Sequence, residues 1–372
     1  MRVLILQDHL RNGGTERQSV LLANELAATG AAGGAGAGNA TGGETIAAGL
    51  LTFRPGGALD ATVSPAVTRR ALQPFDTRLD WFAPGLRRAV RRFAPDILLC
   101  MGRMANCRAA GLVRAFPALP VVATMRTGKA LPWLYRRGLR AAGAVVANSA
   151  HAARALTADL AIPPEKITVI ANAPVFAPDS VPPSPLPASR SPLPAATPAI
   201  LCCAMFRPEK GHAALLEAAA LLPRDPNHRW RLVLAGDGPA LPECRALARK
   251  LGIAERVEFA GFVADPRPLY RAAAVAVLAS RSESLPNFLV EAHLHGVPSV
   301  AFATGGVAEC GGETVTAGDV PALSRALAAL LFDPERRAAA GEAVAAFSRA
   351  RFSRAAQLAA YLRLFGRLKE EG

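Results

Sequence analysis

The chain has 372 residues, enough for two domains of ordinary size, and 51% of them are hydrophobic against 19% charged. That balance excludes globally disordered, collagenous and disulfide-stapled classes. The 43 Lys and Arg against 29 Asp and Glu leave a net charge of +14, which points to an anionic partner. The six cysteines, Cys100, Cys107, Cys202, Cys203, Cys244 and Cys310, include no Cys-x-x-Cys pair and read as reduced core thiols rather than zinc ligands. No apolar run reaches the ~18 residues of a spanning helix. The apolar start Met1–Leu6 stops at Gln7, too short for a signal peptide, so the expectation is a soluble chain or one lying on a membrane surface.

In chain order, Arg2–Leu6 is a short apolar strand, followed by a turn at His9–Gly14 and a helical pattern from Thr15. Thr15 and Gln18 have capping-box spacing, and Leu21, Leu22 and Leu26 supply an apolar stripe. Gly30 to Gly43 is almost all Gly and Ala and reads as a lengthened surface loop. Trp81–Phe93 places Leu86, Val90 and Phe93 at helical spacing beside Arg87, Arg88, Arg91 and Arg92, and Trp133–Arg137 repeats the flavour. Residues 176–198 are rich in proline, which fixes φ and removes backbone donors, so they read as an extended linker. Beyond it come a strand at Ala199–Phe206, a turn at Arg207–Gly211 and a helix at His212–Leu222. Arg231–Ala235 leads into Gly236-Asp237-Gly238 and a helix through Lys250. Ala274–Ala279 leads through Ser280–Asn287 into a helix from Phe288, and Ser299–Ala303 leads into Thr304-Gly305-Gly306.

Strands alternating with helices imply an α/β fold with parallel sheets wound on both faces. The expected layout is two Rossmann-like domains facing across a cleft, 1–175 and 199–348, with a terminal helix at 349–372 that can return to the first domain. Ligands in such sheets bind beyond the carboxyl ends of the strands. The basic excess is uneven: residues 1–175 carry +11 and residues 176–372 carry +3.

Arg207-Pro208-Glu209-Lys210-Gly211 sits where a strand hands over to a helix. Helix N-termini offer amides and partial positive charge, and Arg and Lys add full charges, a combination suited to a diphosphate. Taken alone, the motif is equally an exposed basic turn. It is not a Walker loop, because Gly128-Lys129 has Ala123 where the first glycine should stand. Glu283 and Glu291 are separated by seven residues, with Asn287 expected as the N-cap between them. They read as two separate contacts to an elongated, hydroxyl-rich ligand, or as ordinary capping and surface acids. Gly13-Gly14-Thr15-Glu16 opens the first helix with residues small enough for backbone to approach a ligand closely.

Together these segments resemble family 4 retaining glycosyltransferases. The resemblance rests on Arg207/Lys210-Gly211, Gly236-Asp237-Gly238, the Glu283 to Glu291 segment, His295–Val300 and Gly305–Glu309 in that order and spacing. Gly13–Arg17, Asn148-Ser149 and Lys166–Asn172 match the first domain. The resemblance implies a GT-B architecture that moves a sugar from a nucleotide-diphosphate sugar to a lipid-linked or saccharide acceptor, with retention, no cofactor and no metal. On the matching positions, Arg207 and Lys210 would neutralise the leaving diphosphate and Glu291 would hold the ribose hydroxyls. Glu283 would contact the donor sugar, Leu285, Pro286, Asn287 and Phe288 would lie at the phosphate, and Gly13 and Gly14 would close over it. The sequence departs from the pattern after the strand near Val121: where many relatives carry His, Met125-Arg126-Thr127 follows. Arg126 stays protonated, so it suits a donor or acceptor phosphate and not a base.

The basic first half suits an anionic membrane surface or a lipid-diphosphate acceptor, unless its apolar stripe simply packs inward. Nucleic acid is not expected, since no recognised module appears. The expected location is cytoplasmic, peripheral on the inner face of the membrane. Two other readings compete: a nucleotide-sugar epimerase, and a weakly catalytic sugar-nucleotide-binding protein.

Overall fold

Val3–Leu6 form an unbroken apolar run, the pattern of a strand buried on both faces of a parallel sheet. In the computed structural model, which describes residues 1–32, 45–176, 197–225 and 227–371, this run is an interior strand of the first sheet. Most of the Gly/Ala-rich stretch and most of the expected linker lie outside the described residues. The chain divides into two units, Met1–Val175 with Arg354–Gly372, and Phe176–Ser353.

The first unit contains β1 (Arg2–Gln7), α1 (Gly14–Ala32), β2 (Ala47–Thr52), β3 (Thr68–Ala71), α2 (Leu86–Phe93) and β4 (Ile97–Cys100). It continues with α3 (Arg103–Ala115), β5 (Val121–Met125), α4 (Trp133–Ala141), β6 (Ala144–Ala147), α5 (Ala150–Leu160) and β7 (Ile167–Val169). Its strands run parallel in the order β3-β2-β1-β4-β5-β6-β7. Asp8, just past β1, accepts the N–H groups of Met104 and Ala105, both at 2.9 Å, and so caps α3 where the strand order reverses. Burial raises this carboxyl to about 6.

The second unit contains β8 (Ala199–Cys203), α6 (His212–Ala220), β9 (Arg231–Ala235), α7 (Leu241–Lys250), β10 (Val257–Gly261) and α8 (Arg267–Ala272). There follow β11 (Ala273–Leu278), α9 (Asn287–Leu294), β12 (Ser299–Phe302), β13 (Glu313–Val315), α10 (Val320–Leu331) and α11 (Pro334–Arg351). Its parallel order is β10-β9-β8-β11-β12-β13, reversing between β8 and β11.

The last helix, α12 (Arg354–Glu371), packs with the first unit. Gln357, Tyr361, Leu364, Phe365 and Leu368 form one helical stripe, and its apolar members join Val3, Ile5, Leu22 and Leu26 in a single core. Two expected caps are absent for physical reasons. Gln18 does not close a capping box; its side chain is buried, donating to Ala173 O (2.6 Å) and accepting from Ala173 N (3.2 Å) and Gln357 Nε2 (3.0 Å). Asn287 is the first residue of α9 and not its cap, because Pro286 takes the preceding position without a side-chain bond.

Cys100, Cys107, Cys202, Cys244 and Cys310 are buried and Cys203 is half-buried. Burial pushes the Cys202 thiol up to about 12, as suits a packing residue.

Candidate active site

The second unit's order reversal brings together the loops that follow β8 and β11. After β8 the chain is tied to the β9–α7 loop: Phe206 N–H donates to Asp237 O (2.9 Å) and Phe206 O accepts from Ala240 N (3.0 Å). Arg207 is extended and exposed, one tight turn covers Pro208–Lys210, and Gly211 turns into α6 at φ +67°. A side chain at Gly211 would overlap the carbonyl oxygen of Ala279, so the loop lies directly on the end of β11. Arg281 N–H donates to Glu209 O (2.8 Å), stitching the two loops together.

That stitching sets Lys210 Nζ 2.6 Å from Glu283 Oε1, with the two side chains 26% and 10% exposed. A third loop, after β12, holds Glu283 from the other side. Thr304 Oγ1 donates to Ser280 O (3.0 Å), and Gly305, at φ +57°, allows an approach in which any Cβ would overlap Glu283 O. The hydroxyls of Ser280 and Ser282, in the loop after β11, are buried without a hydrogen-bond partner among the described residues.

Glu291, on the first turns of α9, is 5% exposed and accepts from the Tyr270 hydroxyl (2.9 Å) on α8. Leu285 and Phe288 are buried beside it. Pro286 precedes α9 and makes no side-chain capping bond, and the helix's N-terminal amides bring partial positive charge to the loop that carries Glu283. Pro286 has no N–H, which leaves Leu285, Asn287 and Phe288 as the backbone donors of that stretch. His212, the first residue of α6, is 3% exposed and stacks on Phe206 with centroids 4.1 Å apart. Burial, with the Lys210 charge second, pulls it down to about 4, so it stands as a neutral ring whose two nitrogens have no hydrogen-bond partner among the described residues.

The structure thus gathers Arg207, Lys210, Glu283, Leu285, Pro286, Asn287, Phe288 and Glu291 on two neighbouring loops and one helix start. Gly13 and Gly14 lie in the first unit, at the start of α1, where the Glu16 carboxylate lies against Gly13. Arg126 follows β5 and braces the first unit: Nη1 donates to Asn172 Oδ1 (2.7 Å) and Nη2 to the Tyr361 hydroxyl (3.3 Å). Sequence reasoning missed Tyr270, which stands in no motif and reaches Glu291 only through three-dimensional packing; His212 follows Gly211 directly, but its stacking on Phe206 is a product of the fold.

The arrangement offers cations and a helix start for a diphosphate, with two carboxylates nearby for hydroxyl groups. The family model described as "Glycosyl transferases group 1" matches residues 197–333, and that described as "Glycosyltransferase Family 4" matches residues 41–173. D-inositol 3-phosphate glycosyltransferase of Corynebacterium glutamicum is 37% identical over 154 residues, 37% of this chain and 36% of that protein. Lipopolysaccharide core biosynthesis glycosyltransferase LpsE of Rhizobium meliloti is 33% identical over 176 residues, 46% of this chain and 50% of that one. The chain therefore spans half or less of the length of these curated relatives. Among solved structures, Anabaena Alr3699/HepE in complex with UDP and glucose superposes with a TM-score of 0.78 at 22% identity, covering 98% of this chain and 99% of that one. Sucrose-phosphate synthase of Thermosynechococcus elongatus gives 0.80 at 18% identity and full coverage of both, 100% and 100%. These likenesses establish the fold. With the two family models matching consecutive stretches, 41–173 and 197–333, and the site residues standing in family order, the chain belongs to the family 4, group 1 glycosyltransferases and has their GT-B fold.

Proposed function

We propose that the chain transfers a sugar, with retention and without a metal, from a nucleoside-diphosphate sugar to a lipid-linked or saccharide acceptor in cell-surface glycan synthesis. It would act in the cytoplasm, at the inner face of the membrane. The observation that carries this reading is the Lys210–Glu283 pair, held beside the start of α9 at the strand-order reversal. The names of the relatives agree with it: one acts in lipopolysaccharide core biosynthesis, and one solved neighbour holds UDP-glucose.

In this reading Glu291 accepts from the ribose hydroxyls, positioned by Tyr270, and Glu283 accepts from hydroxyls of the donor sugar. The bond from the anomeric carbon to the diphosphate oxygen breaks, and its electron pair stays on the phosphate. Lys210 and Arg207 stabilise that charge as it develops, where preorganised positive groups contribute most. The acceptor oxygen bonds the anomeric carbon on the face the phosphate leaves, and the acceptor proton passes to the departing phosphate. No side-chain base is required, which suits the sequence around Arg126.

A thermal-shift screen over nucleotide sugars, followed by transfer of labelled sugar to a lipid-linked acceptor, tests the proposal. A nucleotide sugar that binds the folded chain should raise its melting temperature, and label should reach the acceptor. If none stabilises the chain, or if the sugar is isomerised with no transfer, the proposal fails.

A further inference from the structure

The loop between β3 and α2 is folded around its own polar groups. Gln73, 1% exposed, donates through Nε2 to the carbonyls of Leu79 (2.9 Å) and Phe82 (2.6 Å), and its Oε1 accepts from Thr77 Oγ1 (2.8 Å). From beneath, the buried Arg54 holds Asp76 through two bonds (2.6 and 2.7 Å) and Asp80 through a third (2.5 Å). Arg54 offsets one of the two carboxylate charges from the inside, and Arg11 Nη2, 3.9 Å from Asp80 Oδ1, faces the other. Its apolar side chains turn outward: Phe75 is 70% exposed, Trp81 54%, Leu79 41% and Phe82 38%. This reverses the usual burial preference; the Trp81 and Phe82 rings meet edge-on with centroids 6.1 Å apart, and exposed apolar groups gathered in this way mark a contact surface.

The next element continues the face. Helix α2 buries Leu86, Ala89 and Val90 and leaves Arg87, Arg88, Arg91 and Arg92 exposed. Between loop and helix lies a hollow of about 500 Å³ lined by Phe82, Arg87, Arg88, Arg108 and Leu112 among others, with no acidic residue in its lining. Arg108 is fixed there by donating to the Trp81 carbonyl (2.7 Å).

We propose that this face docks on an anionic phospholipid bilayer, the aromatics entering the headgroup boundary and the arginine-lined hollow taking lipid phosphate. Charge complementarity selects this occupant. Arginines of one sign beside outward aromatic rings match an interface that is negative at the surface and apolar a few ångströms below. Guanidinium groups also pair with phosphate through two parallel bonds. The face belongs to the first unit and Lys210 and Glu283 to the second, so docking and donor binding can fail separately.

The test uses the full chain carrying Trp133→Phe. Trp230 is 0% exposed, so Trp81 becomes the reporting exposed indole. With vesicles containing about a third phosphatidylglycerol, Trp81 emission should shift to the blue and the protein should sediment; with neutral phosphatidylcholine it should do neither. Salt at about 0.5 M should release it. Replacing Arg87, Arg88, Arg91 and Arg92 with Gln should lower partitioning about 10²–10³-fold. Phe75→Ser with Trp81→Ser should weaken sedimentation on the same vesicles. Both sets should keep the wild-type melt and its rise with nucleotide sugar. Equal binding to neutral and anionic vesicles, no binding to either, or full retention in the four-Gln variant would overturn the proposal, and a soluble partner would then fit the face better.

Discussion

Lys210 Nζ lies 2.6 Å from Glu283 Oε1, although 73 positions separate the two residues and each is carried on its own loop. The pair exists because Arg281 N–H binds Glu209 O and because Gly211 and Gly305 let three loops approach closely. A cation and an anion at the ends of neighbouring parallel strands give one place that accepts phosphate oxygens and one that accepts hydroxyl donors.

Lys210→Ala should lower turnover about 10²–10³-fold, the usual loss when one charge-stabilising contact to a transition state is removed. Its melting should stay cooperative, because the Lys210 side chain is not a core group. A folded variant with near-native turnover would remove Lys210 from the reaction.

Tyr270→Phe removes the hydroxyl that Glu291 accepts and leaves the ring, 1% exposed, in place. Hydrogen bonds to charged groups contribute about 1.5–3 kcal/mol, so the melt should drop measurably. Donor dissociation constants, read by calorimetry, should rise several-fold as Glu291 loses its orientation. An unchanged affinity would show that Tyr270 supports the fold alone.

Gly305→Ala forces a Cβ into the Glu283 carbonyl at a left-handed φ of +57°. Strain of that kind costs about 1–3 kcal/mol, and the loop would have to move Glu283 to relieve it. Both stability and turnover should fall. Loss of stability with full turnover would show that Glu283's placement is not critical.

Chelators should leave activity unchanged, since Lys210 and Arg207 are assigned the charge that a divalent cation would otherwise carry at the diphosphate. Assaying transfer with and without EDTA checks this. Loss of transfer restored by Mg²⁺ or Mn²⁺ would contradict the assignment.

Acid should destabilise the chain through its buried histidines. Burial pulls His293, which contacts Ser299 Oγ (2.7 Å) and Cys310 O (3.1 Å), down to about 4, and His212 likewise to about 4. Unfolded, each titrates near 6.5, so the unfolded state binds more protons between the two values. Their contribution is present above about pH 6.5 and is lost as the pH falls towards 4. Asp8, raised by burial to about 6, acts in the opposite sense, gaining stability as it protonates. Two histidines outweigh one carboxyl, so the urea midpoint should fall from about pH 7 to about pH 5 and His293→Gln should flatten that slope. A midpoint that rises with acid would rule this out.

Much of this molecule is set by local pattern. The apolar runs Val3–Leu6 and Ile200–Leu201 mark buried strands of parallel sheets, because an unbroken run has no face to offer water. The Arg207–Gly211 turn and the Glu283–Glu291 segment are readable because loops at strand ends carry their chemistry within a few consecutive residues. The stripe Leu86, Val90 and Phe93, with arginines between them, follows from the helical repeat alone; in the fold Leu86 and Val90 are buried together with Ala89. Tertiary packing decided the rest. Gln18 has the spacing of a capping residue but is drawn into bonds with Ala173 and Gln357, 155 and 339 positions away. Arg126 meets Tyr361 only because α12 returns to the first unit. Tyr270 on Glu291, and Lys210 on Glu283, depend on which strands become neighbours when the order reverses at β8 and β11. A residue's own sequence neighbourhood holds its propensity and period; its partner across a sheet is chosen by the burial of the whole core.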